Sequence, residues 1–153
     1  MRTSAFAVIS ILLAGSVSVH AGPPDKRLAT AKTAAVVAHD PMTKDRLLAA
    51  CVADHLEAAT PLKLVTDASN ADLVLMVDTS FNGDVTRGMT GSLGMGRLWI
   101  PDPANPNPKA LIFSTAVILD AKPVPANVPC AFADKLLDKL LSAMRKARDA
   151  KNK

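Results

Sequence analysis

Apolar and polar positions follow two rhythms along this chain, and the changes of rhythm divide it into elements. "KTAAVVA", Lys32 to Ala38, is a short apolar run closed by the turn signal "HDP", which predicts a first strand. In "TKDRLLAACVADHLEAA" the rhythm lengthens. Leu47, Leu48, Cys51, Val52, His55, Leu56 and Ala59 recur at three- and four-residue spacing and form one stripe of an amphipathic helix. Thr43 stands where an N-cap belongs, Arg46 replaces the glutamate of a capping box, and Pro61 marks the helix end. "LKLVTD" predicts a short strand, and Ala68 to Asn70 a turn. "ADLVLMVDTSF" is apolar without a break from Leu73 to Val77, the pattern of a central strand covered on both faces or nearly so.

"GRLWIPD" and "KALIFSTAVILD" flank the proline- and asparagine-rich "PDPANPNPK", which predicts an antiparallel hairpin with a long turn. "AKPVPANVP" is an extended crossing stiffened by proline. "CAFADKLLDKLLSAMRKARDA" carries the strongest helical pattern, with Phe132, Leu136, Leu137, Leu140, Leu141 and Met144 on one side and lysines and aspartates on the other. Strand, helix, two strands, hairpin and helix add up to an α/β (α+β) two-layer sandwich. Its mixed sheet should have four or five strands and carry two amphipathic helices. Helix–strand alternation stops after the first half, which argues against a doubly wound sheet. No internal repeat is visible.

The amino-terminal segment stands apart from this pattern. Residues 1–21, "MRTSAFAVISILLAGSVSVHA", have an early positive charge, an apolar run from Ala5 to Gly15, and small residues before Gly22, the layout of a secretory signal peptide. The run is shorter than the roughly 20 residues a membrane-spanning helix needs. Ser16 follows Leu13-Ala14-Gly15, so the cysteine that a lipoprotein would acylate there is missing. The expected product is an exported chain without a membrane span, periplasmic or secreted. Residues 22–31 would be a flexible lead-in, 32–148 one domain, and 149–153 a basic tail. About 130 mature residues suffice for a single core. The net charge of +4 is concentrated in the carboxyl-terminal "MRKARDAKNK", where cations suit a helix C-terminus. Aromatic residues make up only 3%, and there is no tyrosine, which argues against a nucleic-acid platform or sugar cleft.

Cys51 and Cys130 form an even pair in a chain headed for an oxidising compartment, so a disulfide is expected. Closing such a loop would restrict the unfolded chain by roughly 4–5 kcal/mol in the entropy model. Two alternatives stay open at this point: two buried thiols, or a zinc site joining both cysteines to His39 and His55. The zinc ligand spacing lacks tight pairs at both ends.

Five of the seven glycines lie between Gly83 and Gly96, and "GSLGMG" tempts toward a nucleotide loop. Gly91 and Gly96 have the P-loop spacing, but Arg97-Leu98 stand where Lys and Ser or Thr belong, and "RLWIPDP" cannot open a helix. The loop from Gly83 to Pro108 instead reads as a connection feeding the hairpin, with Met89, Leu93, Met95 and Trp99 as a candidate binding surface. For hydrolysis, His39 beside Asp40 and His55 near Asp54 are adjacent only in sequence, and no serine occupies a nucleophile elbow. Glu57 is the only glutamate, and the aspartates are spread over helix faces and turns where water would solvate them.

A helix ending before "LKLV", then a turn, then "ADLVLMV", resembles a superfamily of small bacterial envelope domains. It includes those of the curli-export lipoprotein, the lipoprotein activators of penicillin-binding proteins and the amino-terminal domain of the Tol translocation protein. The hairpin "GRLWIPDP…KALIFST" is similar to their paired strands. The resemblance spans roughly residues 32 to 146 and implies a docking or assembly module rather than an enzyme. It carries over no catalytic residue. Taken together, the sequence predicts an exported, non-catalytic envelope protein that binds another envelope protein through its sheet edge and glycine-rich loop, without cofactor, metal or nucleic acid. The alternative is a small periplasmic redox protein or hydrolase using Cys130, at the start of the last helix, or Cys51.

Overall fold

The computed structural model describes residues 24–41, 44–81, 92–120 and 127–153. The expected signal peptide at 1–21, Thr43, Met89 and most of the crossing after Asp120 lie outside them. The five strands are β1 (Thr33–Ala38), β2 (Lys63–Leu64), β3 (Leu73–Phe81), β4 (Ser92–Pro101) and β5 (Leu111–Asp120). They make one sheet in the order β2-β1-β3-β4-β5, with β1 parallel to β2 and β3, and β3-β4-β5 antiparallel. Three helices, α1 (Lys26–Thr30), α2 (Asp45–Ala59) and α3 (Val128–Lys151), cover one face. The result is the mixed two-layer α/β sandwich that the hydrophobic pattern predicts.

The core lies between helices and sheet. Leu48, Val52 and Leu56 of α2 and Phe132, Leu136, Leu137, Leu140 and Met144 of α3 are buried against Leu73, Leu75 and Val77 of β3 and Leu98 and Ile100 of β4. The stripe on α2 is narrower than its sequence suggests, since Leu47 is 58% exposed. α3 begins two residues earlier than the pattern predicts. Asn127 accepts a hydrogen bond from the Cys130 N–H, and Pro129 occupies the first turn, where a missing N–H costs nothing.

The structure differs from these expectations in detail. Within the expected flexible lead-in at 22–31, the described residues 24–31 include a helix. Asp25 caps α1 by accepting from the Arg27 N–H, and Leu28 is buried in the core. Arg27 then grips both Asp25 and Asp102, the latter in the β4–β5 turn, and so fastens α1 to the sheet. The basic tail at 149–153 is mostly helix, because α3 runs to Lys151, with Arg148 and Lys151 near its negative pole. β2 is only two residues long. Finally, β3 is central in the sheet but the described helices cover only one of its faces. Its unbroken apolar run arises because the other face is apolar as well.

The glycine-rich stretch is also not one long loop. Ser92 to Pro101 is strand β4, hydrogen-bonded to β3 on one side and β5 on the other. Gly94 takes a φ of 150°, which side chains rarely adopt, where the β4–β5 register shifts. Gly96 faces α3, and a Cβ there would stand 2.8 Å from Cδ1 of Phe132. Gly96 thus lets a helix approach a strand.

Candidate functional site

Pairing register fixes which side chains share the face away from the helices, because strand neighbours alternate and paired residues point the same way. One row runs Val37, Met76, Trp99, Ser114; the next Asp78, Arg97, Ala116; the third Ser80, Met95, Ile118. Val37, Met76, Met95 and Trp99 are half-buried by their neighbours, and Ile118 is 62% exposed. The His39 ring meets Trp99 edge-on, with centroids 5.4 Å apart, and closes one end of this surface. Of the four residues predicted to bind, Met95 and Trp99 therefore lie on one face, Leu93 belongs to β4, and Met89 lies outside the described residues.

A single ion pair crosses the apolar rows among the described residues. Arg97 donates from Nε to Asp78 Oδ1 at 2.7 Å and from Nη2 to Oδ2. The Asp78 carboxylate holds the Arg97 guanidinium above its ordinary pKa, against the opposing effect of burial. Asp78 is nearly buried while the Arg97 side chain is half exposed, so the charge of the arginine stays in water.

Beside this pair opens a cleft of about 560 Å³, lined by Asp40, Lys44, Asp45, Asp78, Thr79, Ser80 and Arg97. It forms where the end of β1 and the first turn of α2 meet β3 and β4. The buried Asp45 accepts from the Asp40 N–H at 3.0 Å and from the Thr79 N–H at 2.8 Å, tying the start of α2 to both strands. Thr79 Oγ1 donates to the Met95 carbonyl. The lining therefore offers two hydroxyls but no imidazole to take their protons, and its two buried carboxylates are engaged with backbone N–H groups or with Arg97. The sequence reading places its aspartates in solvent, and Asp45 and Asp78 correct it. A signal for Asp78 is present, since it continues the apolar run of β3 without a turn residue before it.

The other candidate chemistry resolves into helix packing. Cys51 and Cys130 form a disulfide with Cα atoms 5.0 Å apart, which fits an exported protein. One helical turn along both helices, His55 Nδ1 lies 2.6 Å from Asp134 Oδ1. Disulfide and His–Asp contact make two rungs between α2 and α3. The four residues of the possible zinc site thus split up, with His39 on Trp99, and the described residues hold no cluster of three or more metal-ligating side chains. Neither histidine reaches a serine in a hydrogen bond seen among the described residues, and the two cysteines of the redox alternative are partners of each other. No described helix is long and apolar enough to cross a membrane.

No family model matches this chain, and no curated protein matches it. Solved structures do. The chain is similar to the PelC dodecamer from Paraburkholderia phytofirmans, at 15% identity and a TM-score of 0.50, over 76% of this chain and 92% of that one. A leucine-to-methionine variant of the same dodecamer aligns at 15% identity with a TM-score of 0.48, over 74% and 90%. At this identity the likeness is one of fold.

Proposed function

We propose that this protein is an exported, non-catalytic envelope domain that works by assembly with other protein chains, through the uncovered face of its sheet and the adjoining β5 edge. One observation carries the reading: the helices cover one face, while the opposite face presents Met76, Met95, Trp99 and Ile118 beside an edge strand ten residues long. Apolar surface and unpaired backbone groups side by side are the two ingredients of docking by strand addition and face burial. The resemblance of "LKLV…ADLVLMV" to envelope docking domains supports the same role, and the likeness to a dodecamer supports copies of this chain as one kind of partner.

The test is site-specific photo-crosslinking of the protein in its own envelope. A photoreactive residue at Trp99 or Ile118 should give adducts with another protein chain, whereas one at Lys135 or Lys139, exposed on α3, should give none. Adducts from α3 alone, or from no position, would overturn the proposal.

A further inference from the structure

The two edges of the sheet are unequal. β2, at one edge, is two residues long and begins with Lys63. β5, at the other, is ten residues long, and every second residue turns its N–H and C=O away from β4 with no described strand to receive them. Natural edge strands of this length usually carry a lysine, a proline or another charge that discourages pairing. From Leu111 to Leu119 β5 has none of these; its sequence there is "LIFSTAVIL". On the helix side of the strand, Val117 and Leu119 are buried in the core, so packing anchors it there.

Edge lengths decide what suits it. Head-to-tail extension of the sheet would set ten residues of β5 against the two of β2 and leave most of the ladder unpaired. A second β5 matches it residue for residue. We infer that β5 pairs antiparallel with β5 of a second copy of this chain, about a two-fold axis at Ala116. This rests on the assembly reading above and names the partner of one part of that surface. Centring on Ala116 pairs residues 113 to 119 and stays clear of the register shift next to Leu111. The exposed Ala116 meets its own counterpart, the smallest side chain of the row. Ile118 faces Ser114 of the second copy, and Leu119 faces Phe113. No charged side chain lies within the paired segment, so nothing in it repels its own copy. The pairing is isologous and closes on itself, because the short β2 edge cannot propagate it.

The experiment uses the full, oxidised chain and two variants, Ala116→Lys and Ala116→Asp, with mass measured by native mass spectrometry over a range of concentrations. Each variant alone sets like charges across the axis, and its dimer dissociation constant should rise on the order of 100-fold. Mixing the two should restore pairing as a mixed dimer, which also shows that both variants are folded. If both variants keep the wild-type mass, copies meet elsewhere and the inference falls while assembly stands. If both variants dissociate but the mixture does not re-form, the axis is not at Ala116 and the inference falls. If the wild type is a single chain at every concentration yet Trp99 or Ile118 still crosslinks to a different protein, the inference falls and the docking reading survives. A single chain without crosslinks would sink both.

Discussion

On the helix side of β3, Leu73, Leu75 and Val77 are fully buried; on the other side their chain neighbours Val74 and Met76 are only half-buried, although they are just as apolar. The same contrast appears on β4. Leu98 and Ile100 vanish beneath α3, whereas Met95 and Trp99 keep part of their surface in water. A strand that merely needed to fold would alternate apolar with polar, so that one face satisfied the core and the other satisfied the solvent. Here the run Leu73–Val77 is apolar on both faces, and among the described residues only one face has a cover. The covered face holds the core of the chain, and the other face is the apolar area that the proposed docking would bury.

That contrast can be broken most directly by comparing Phe132→Ala with Trp99→Ala in urea unfolding at neutral pH. Phe132 is fully buried on the helix side and should lose about 3–5 kcal/mol. Trp99, on the open side, should lose only about 1 kcal/mol, the scale of its ring contact with His39. Equal losses would mean that the open face is part of the core. Next, replacing Cys51 and Cys130 together by Ser should cost about 2–5 kcal/mol, because the bridge joins residues 79 apart in sequence. A far smaller loss in the unfolding midpoint would show that packing alone holds the helix layer together.

A finer probe is Gly96→Ala, where a methyl group would press on the Phe132 ring and cost about 1–3 kcal/mol. The double variant with Phe132→Leu should recover part of that loss, and no recovery would mean that the ring is not what the methyl group meets. The smallest effect is electrostatic. The Arg27 guanidinium, bonded to both carboxylates, holds Asp25 and Asp102 below their ordinary value of 3.8. Lowered folded-state values mean that the stabilisation is complete above the ordinary value and fades as pH falls through the lowered ones. Arg27→Gln should therefore lower the Tm modestly at neutral pH, and the difference should shrink as pH falls below 3.8. A difference that persisted in acid would assign Arg27 a packing role instead.

Much of the fold is legible in the sequence because it rests on burial periodicity. The three- and four-residue stripe of α3 and the unbroken run of β3 specify where each element lies and which is central. α1 escapes notice because five residues carry too little pattern. Its signal is Asp25 two residues before Arg27, a cap that shows only once the arginine is seen to reach Asp102, 75 positions away. Only the first half of β4 is hidden by its glycines; "GRLWIPD" announces the rest, and Gly96 is explained once Phe132 is seen to need the space above it. The candidate surface is half legible. Met95 and Trp99 stand out by type, but Met76, Arg97 and Ile118 join them only through the strand register. Register depends on partners distant in the chain, and no local pattern encodes it.

α3 follows every other described element and yet supplies much of the cover for the sheet. It brings Phe132, Leu136, Leu137, Leu140 and Met144 to that sheet, and Cys130 and Asp134 to α2. A chain delivered amino end first therefore passes through a stage in which only α1 and α2 cover the helix side and Cys51 has no mate. The helix layer is therefore closed only when the 24-residue α3 docks and brings Cys130 to Cys51.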